Sequence, residues 1–267
     1  MNPTDRNAAG GESGLAPPES MIGRISLVLD CFTEGQPTVT LSEICERTGL
    51  PKSTASRITS ELVDYSYLER HGAALSLGIR VFELGSQAAR PRSLKVLALP
   101  RMAGLRRATG HTVHLAVLEE TTVVYIEILP SSSSPRLPSR VGGRLPAFAT
   151  GVGKALLAYS SSSVVDQVIA RGLWKVGPNT ITDVTALLRN LKEIRAAGVA
   201  TEEQESGSGI SCVAAPILGA LDRPIAAISV SGWSDRLDVA GSIPVVQGVA
   251  EALSADVRRR PQLVAEQ

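Results

Sequence analysis

The chain has 267 residues, is 43% hydrophobic and carries a formal net charge of +1, which excludes a largely disordered protein and leaves room for one or two domains with hydrophobic cores. No apolar run is long enough to span a membrane, and the first 20 residues lack the charged and then apolar pattern of a signal peptide. We therefore expect a cytoplasmic protein without membrane contact, with a polar, disordered leader at 1–20. The three cysteines have no CxxC spacing, which fits the same compartment.

Positive charge is concentrated in the front of the chain. Between Met21 and Gly110 there are 12 lysine or arginine residues and 8 aspartate or glutamate residues. A basic surplus fits contact with nucleic acid. Most such charges only solvate a surface, so the surplus by itself assigns no function.

Two helices are predicted before residue 50. The first, from Met21 to Phe32, has apolar residues at helical spacing. They are Ile22, Ile25, Leu29 and Phe32. The second begins at Thr40, whose hydroxyl can cap the helix while Glu43 completes a capping box, and it ends at Gly49, where the turn requires positive φ. Its predicted buried stripe is Leu41, Ile44 and Cys45.

A third helix begins at Pro51, where the missing N–H costs nothing. Its predicted inward face is Ala55, Ile58, Leu62 and Tyr65. The opposite face is small, polar and basic, and it carries no carboxylate before Glu61, although a helix start normally favours carboxylates. Its first residues are Lys52, Ser53, Thr54, Ser56, Arg57, Thr59 and Ser60. Such a face suits phosphates and base edges, and Arg57 can place two donors on a guanine.

Two helices joined by a tight turn are typical of a helix-turn-helix, but a plain helical hairpin with solvated polar residues would show the same pattern. The residues that follow favour the first interpretation. Residues 67–77 predict a small hairpin that turns at Gly72, which is the wing of a winged helix-turn-helix. We therefore predict a DNA-binding domain at 21–80 that reads double-stranded DNA. Its predicted DNA-binding residues are Lys52, Ser53, Thr54, Ser56 and Arg57.

A helical linker is predicted at 81–110. One helix continues from Ile79 to Arg90, where Pro91 interrupts it, and its predicted buried residues are Ile79, Phe82 and Leu84. Another helix ends near Gly110 and is bent or broken at Pro100. The linker is either a dimerisation element or a packing element alone.

A second domain is predicted at 111–260, followed by a tail at 261–267. Short strands are predicted at 112–118, 123–129, 199–203, 211–217 and 224–231, with helices between them and a closing helix at 242–259. This order indicates an α+β or α/β sensor-like domain. Residues 150–154, TGVGK, lead into a helix at 155–159 and could bind an anion through backbone amides. The segment is not a P-loop, because Phe148 stands where the first glycine belongs.

The whole pattern resembles the IclR family of bacterial transcriptional regulators. The resemblance rests on GLPKSTASRI at 49–58, on LPAFATGVGKALLA at 145–158 and on the rear spacing of Gly198, Glu205 and Cys212. It implies a GAF-like α/β effector-binding domain, homodimers that pair through the front half and, in many members, tetramers. It also implies that the effector is a small carboxylate or an aromatic compound. The implied effector-binding residues are Gly151, Val152, Glu202, Cys212, Ser229 and Ser231. Glu202 departs from the usual Asp or Ser, which puts the identity of the effector in doubt.

The expected function is that of a transcriptional repressor that binds a pseudo-palindromic operator and responds to its effector. No catalytic residue and no cofactor is expected. No metal site is expected either, because His111 and His114 are three apart in a strand and face opposite sides. We expect Lys154 to be solvated and Glu205 to accept backbone donors in the loop that follows it. The alternatives are an enzyme, either a hydrolase or a thiol reductase that uses Cys212, and an interaction scaffold with a vestigial pocket.

Overall fold

The computed structural model describes residues 17–32, 36–135 and 137–260. Residues 1–16 of the predicted leader and the predicted tail at 261–267 lie outside this part of the chain. The chain forms two compact units that divide between Ala88 and Ala89. No helix among the described residues is long and apolar enough to cross a membrane.

The first unit combines short helices with a small antiparallel sheet. Its elements are α1 (Met21–Asp30), β1 (Thr38–Thr40), α2 (Leu41–Thr48), α3 (Lys52–Asp64), β2 (Leu68–His71), β3 (Ala74–Leu77) and α4 (Ile79–Ser86). The strands are ordered β1-β3-β2. The helix-turn-helix α2–α3 and the hairpin β2–β3 confirm the predicted winged helix-turn-helix. Strand β1, which pairs with β3, was not predicted.

Local signals determine the ends of α2. The backbone N–H of Thr40 donates to Oε2 of Glu43 at 2.7 Å, and the N–H of Glu43 donates to Oγ1 of Thr40 at 3.3 Å. The predicted capping box is therefore present. Gly49 ends the helix with φ of 68°, which glycine adopts without steric cost. Behind this turn, Ile44 and Ile58 are buried in the core of the unit.

Several apolar side chains that were predicted to be buried are exposed. Tyr65 is 73% exposed, because α3 ends at Asp64 and the positive φ of Ser66 turns the chain toward β2. Ile22 on α1 is 78% exposed. Helix α4 buries no residue within its unit, and its predicted buried residues Ile79, Phe82 and Leu84 are all exposed. The core of this unit is complete without them, because α1 to α3 and the three strands already enclose it.

The second unit is built on a six-stranded sheet. Its elements are α5 (Ala89–Thr109), β4 (Thr112–Glu119), β5 (Thr122–Leu129), β6 (Arg144–Pro146), α6 (Gly151–Leu157), α7 (Ser162–Arg171), α8 (Val184–Ala197), β7 (Ala200–Glu203), β8 (Ile210–Leu218), β9 (Pro224–Trp233) and α9 (Val239–Arg259). The strand order is β6-β5-β4-β9-β8-β7, and every described pairing is antiparallel.

Each face of this sheet has its own core. Helices α5 and α9 cover one face, and α6 lies on the other face with α7 and α8 packed behind it. Two boundaries differ from prediction. Helix α5 is one continuous helix that contains Pro100, which excludes the break that was one of the two predicted alternatives. Helix α6 begins at Gly151 rather than at residue 155, so the glycine-rich segment is the first turn of the helix and not a loop before it.

Candidate functional site

The predicted DNA-reading residues lie together on the first two turns of α3. Lys52, Ser53 and Arg57 are exposed, while Thr54 and Ser56 are half-buried. No acidic residue lies in the first turn, and Pro51 at the N-cap makes no side-chain hydrogen bond to it. The positive end of the helix dipole therefore reaches the surface without a neutralising carboxylate, which favours an anionic partner such as phosphate.

One residue of the predicted outer face belongs to the core instead. Thr59 is 1% exposed, and its hydroxyl donates to the carbonyl oxygen of Ser56 at 3.1 Å. A threonine can be buried on a helix in this way because the preceding turn supplies an acceptor. The face available to DNA is consequently narrower than the sequence suggested.

All six predicted effector-binding residues line one cavity on the sheet face that α6 covers. The full lining comprises His114, Tyr125, Leu137, Pro138, Ser139, Leu145, Thr150, Gly151, Val152, Glu202, Ser206, Ile210, Cys212, Ser229 and Ser231. Antiparallel register brings the strand residues together, because Cys212 lies opposite both Glu202 and Ser231. Two residues before Ser231 along β9, Ser229 lies opposite His114 on β4.

The cavity has a volume of about 30 Å³, which is room for roughly two water molecules. Leu137 and Pro138, from the segment after β5, form part of its wall. The described cavity is therefore smaller than an aromatic ring. Its lining residues Cys212, Ser229 and Ser231 lie on the central strands of the sheet.

The glycines of α6 are required by close packing rather than by an unusual backbone angle. A Cβ at Gly151 would lie 2.8 Å from Sγ of Cys212. A Cβ at Gly153 would lie only 2.1 Å from the carbonyl oxygen of Ala147. Directly before these glycines, Thr150 caps the helix by accepting the N–H of Gly153 at 3.1 Å. The helix start therefore fits against Cys212 on the sheet and against the backbone of Ala147 only because both positions lack a side chain.

Glu202 holds the loop that follows β7. Its Oε1 accepts the backbone N–H groups of Glu205 at 2.5 Å and Ser206 at 3.0 Å. Burial nevertheless raises the pKa of Glu202 to about 7. The prediction that Glu205 accepts the donors of this loop was wrong in detail, because the side chain three residues earlier does so.

Lys154 is buried, which contradicts the expectation of a solvated side chain. Only 1% of its side chain is exposed, and Nζ lies 2.5 Å from Oε1 of Glu205 and 3.3 Å from the carbonyl oxygen of Thr201. Burial raises the pKa of Glu205, and the charge of Lys154 opposes that shift. Lys154 is thus the counter-ion of Glu205 and does not line the cavity.

Cys212 is a buried wall residue. Burial raises the pKa of its thiol to about 12, with a further contribution from the nearby Glu202 carboxylate. The thiol is therefore protonated at neutral pH, and a protonated thiol is a weak nucleophile. No cluster of three or more His, Cys, Asp or Glu side chains that could hold a metal occurs in the described ranges.

Comparison with known proteins assigns both units. The IclR helix-turn-helix domain matches residues 22–72, and the bacterial transcriptional regulator IclR C-terminal domain matches residues 87–258. The chain belongs to the IclR family of bacterial transcriptional regulators. It is consequently an IclR-type regulator with a DNA-binding helix-turn-helix domain and a C-terminal effector-binding domain, and its relatives are regulators rather than enzymes.

Curated relatives of this IclR-type regulator match over most of their length. The HTH-type transcriptional regulator KdgR of Escherichia coli (strain K12) is 32% identical over 72% of this chain and 74% of its own. The HTH-type transcriptional repressor AllR of Klebsiella pneumoniae is 30% identical over 85% of this chain and 86% of its own. The transcriptional repressor IclR of Escherichia coli (strain K12) is 29% identical over 79% of this chain and 78% of its own.

Solved structures agree with this assignment and confirm the fold class. An IclR homolog from Microbacterium hydrocarbonoxydans, complexed with 4-hydroxybenzoate, is 32% identical, with a TM-score of 0.83 over 90% of this chain and all of its own. The IclR structure from Thermotoga maritima is 26% identical, with a TM-score of 0.72 over 88% of this chain and 98% of its own.

The cavity residues of this IclR-type regulator that the sequence argument missed include His114, Tyr125 and Ser139. It considered His114 as a metal ligand or as the base of an enzyme and did not place it in the effector site. A signal was available, because His114 is the one ionisable side chain within the apolar run VHLAVL at 113–118. Ser139 carried no such signal, because it reaches the cavity from an irregular segment.

Proposed function

We propose that this regulator is a repressor that binds a pseudo-palindromic operator and changes its affinity for it when a small organic acid or aromatic effector occupies the cavity. One observation carries the proposal: the same chain contains a recognition helix whose start is basic and free of acidic residues, and a buried cavity lined by polar side chains. Coupling requires only that the effector bind one conformation better than the other.

The DNA contacts divide by position along α3. Lys52, Ser53 and Thr54 surround the helix start and suit phosphate oxygens. Ser56 and Arg57 lie one turn further and suit base edges in the major groove. Arg57 is fully available for this role, since its side chain is exposed.

Replacing Arg57 with alanine is expected to weaken operator binding roughly 5- to 150-fold, because a bidentate contact to guanine contributes about 1–3 kcal/mol. Discrimination should relax at one base position in each half-site. Fluorescence anisotropy on operator duplexes with single-base changes measures both effects. The matched control is Arg189→Ala, which removes an exposed arginine from α8 in the other unit. Unchanged affinity and unchanged base preference for Arg57→Ala would show that α3 is not the reading helix.

A homodimer accounts for the exposed apolar surface of the first unit. Ile79 is 59% exposed, Phe82 is 72% exposed and Leu84 is 46% exposed, all on the short helix α4. Soluble proteins usually cover such a group of side chains in an interface. A second copy of this chain is the proposed occupant, and its two recognition helices would then read two half-sites. We extend this proposal to tetramers on family resemblance alone.

The effector site is proposed to comprise Gly151, Val152, Glu202, Cys212, Ser229 and Ser231. Ser229 and Ser231 are both buried and share one face of β9, so they offer two adjacent hydroxyls to the cavity. The 4-hydroxybenzoate complex of the Microbacterium relative supports an aromatic acid as one possible ligand class. Glu202 is already engaged with two backbone N–H groups, so we assign it to shaping the cavity wall.

A panel of small carboxylates and aromatic acids tests the effector proposal. At 100 times its dissociation constant, an effector should stabilise the protein by about 2.7 kcal/mol and raise its melting temperature. The same compound should change operator affinity. Ser231→Ala should abolish both responses while leaving operator binding without effector unchanged, whereas Ser162→Ala on the exposed start of α7 should preserve them. If no acid changed either the melting temperature or the operator affinity, the scaffold alternative would gain support.

A further inference from the structure

The described lining of the cavity supplies no permanent cation to receive an acid. Among the described residues that line it there is neither lysine nor arginine. The nearest buried ammonium group, that of Lys154, is already paired with Glu205. A carboxylate placed in this cavity would therefore meet the Glu202 carboxyl without any compensating positive charge, unless another group supplied it.

Among the described residues that line the cavity, His114 is the one that can become a cation. It is 3% exposed and lies on β4, opposite Ser229. Its Nε2 is 2.8 Å from Oγ of Ser139, and its Nδ1 is 3.4 Å from Oγ of Ser229 and 3.5 Å from Oγ of Ser231. A hydroxyl oxygen can accept as well as donate. When both ring nitrogens carry a proton, each N–H can therefore donate to a serine oxygen.

The surroundings of His114 determine when it is charged. Among the described residues, the titratable groups that line the cavity beside His114 are Tyr125 on β5, Glu202 on β7 and Cys212 on β8. The neighbouring elements also carry Lys154 on α6, Glu127 on β5, Arg144 on β6 and Arg140 in the segment before β6. Arg140 is exposed and does not line the cavity. The ring of Tyr125 contacts the imidazole at a centroid distance of 5.3 Å, and burial raises the pKa of Tyr125, so this neighbour is neutral.

We propose that His114 is the cation of the effector site: a carboxylate effector binds against the His114 imidazole and the Ser229 and Ser231 hydroxyls, and one proton passes from solvent to the imidazole as the effector binds. This inference rests on the proposed effector function and narrows it. The preferred ligand carries one carboxylate at the sheet end of the cavity. A neutral amide of the same shape lacks the charge that holds the proton on the ring.

The protonation states agree with this arrangement. In the ligand-free cavity, burial lowers the pKa of His114 to about 4, so the ring is neutral at neutral pH. An anion at contact distance favours the imidazolium and raises that pKa again. Binding that takes up one proton weakens tenfold for each pH unit between the pKa without ligand and the pKa with ligand. The dissociation constant should therefore rise with pH from about pH 5 upward.

The test uses the full chain, with benzoate and 4-hydroxybenzoate as probes and 4-hydroxybenzamide as the neutral analogue. Titration calorimetry in buffers of different ionisation enthalpy counts the protons taken up. We expect about one proton per carboxylate bound near pH 6, about a tenfold rise in dissociation constant per pH unit between about pH 5 and pH 7, and no proton uptake with the amide. His114→Asn should lose the uptake, while His71→Gln, on the exposed wing, should retain it.

Glu202 is a second possible proton acceptor, and the pH range separates the two. Its pKa is about 7 without ligand, so any uptake by Glu202 would appear above that pH, and Glu202→Gln should leave the slope between about pH 5 and pH 7 intact. Carboxylate binding by the wild-type protein without proton uptake in this range would overturn the role of His114 and leave the effector proposal standing. If neither acid bound, both the role of His114 and the aromatic-acid form of the effector proposal would be overturned. Neither outcome depends on whether a variant folds.

Discussion

Replacement of Lys154 by methionine should destabilise the effector-binding unit by about 3–5 kcal/mol, because it leaves the carboxylate of Glu205 buried without its counter-ion. The side chains of this pair are 1% and 9% exposed, so solvent cannot take over the role of the lost ammonium group. Chemical denaturation followed by circular dichroism measures the change in the free energy of unfolding. Lys192→Met, which removes an exposed lysine from α8, should cost less than about 0.5 kcal/mol.

The pH dependence of this variant gives a second, independent readout. Without Lys154 the folded-state pKa of Glu205 lies still further above its unfolded value, so the folded protein binds the Glu205 proton more tightly than the unfolded chain does. The deficit of Lys154→Met should therefore be largest near about pH 8 and shrink as the pH falls toward about 5. A deficit that did not depend on pH would show that packing of the lysine stem, and not its charge, is what the unit loses.

Replacing Gly153 with alanine should destabilise the same unit by about 3 kcal/mol or more, since the added methyl group meets backbone atoms that cannot rotate away. Its Cβ would lie 2.1 Å from the oxygen and 2.5 Å from Cα of Ala147. The start of α6 would have to move away from the short helical turn Ala147–Ala149, and effector binding would be lost with it. Thermal unfolding and a binding assay with the same carboxylates measure both consequences.

Two other glycines supply the controls. Gly248, in α9, has no atom within 4 Å of an added Cβ, so Gly248→Ala should stabilise the protein by up to about 1 kcal/mol. The stability of Gly151→Ala should lie between those of Gly153→Ala and Gly248→Ala, because its Cβ would meet Sγ of Cys212 at 2.8 Å. Removing that sulfur with Cys212→Ala should restore stability to Gly151→Ala and leave Gly153→Ala unchanged. Equal rescue of both variants would contradict the packing described for α6.

Much of the fold was predictable because its signals are local. The capping box of Thr40 and Glu43 and the turn at Gly49 each involve residues within one or two helical turns of each other. The hairpin that turns at Gly72 depends on equally short separations. Residues this close in sequence meet in nearly any conformation that contains the element, so their pattern identifies it.

The errors occurred where burial depends on what an element packs against. Helical spacing predicted buried faces for Ile22, Tyr65 and Phe82, yet each of them is exposed. Thr59 is polar and was predicted to be exposed, yet it is buried. Periodicity identifies an apolar face, but whether another element covers that face depends on the remainder of the unit, which short-range patterns do not contain.

The amino-acid sequence by itself determined the winged helix-turn-helix, the basic and acid-free start of α3, most of the order of strands and helices behind it and membership of the IclR family, because all of these depend on neighbouring residues or on segments that many relatives share. Strand β6 was not predicted. Only the tertiary structure decided that Lys154 pairs with Glu205 and that His114 meets Ser139, Ser229 and Ser231. These contacts join residues between 25 and 117 positions apart. Strand register and the close approach of α6 to the sheet bring them together, and neither can be deduced from spacing along the chain.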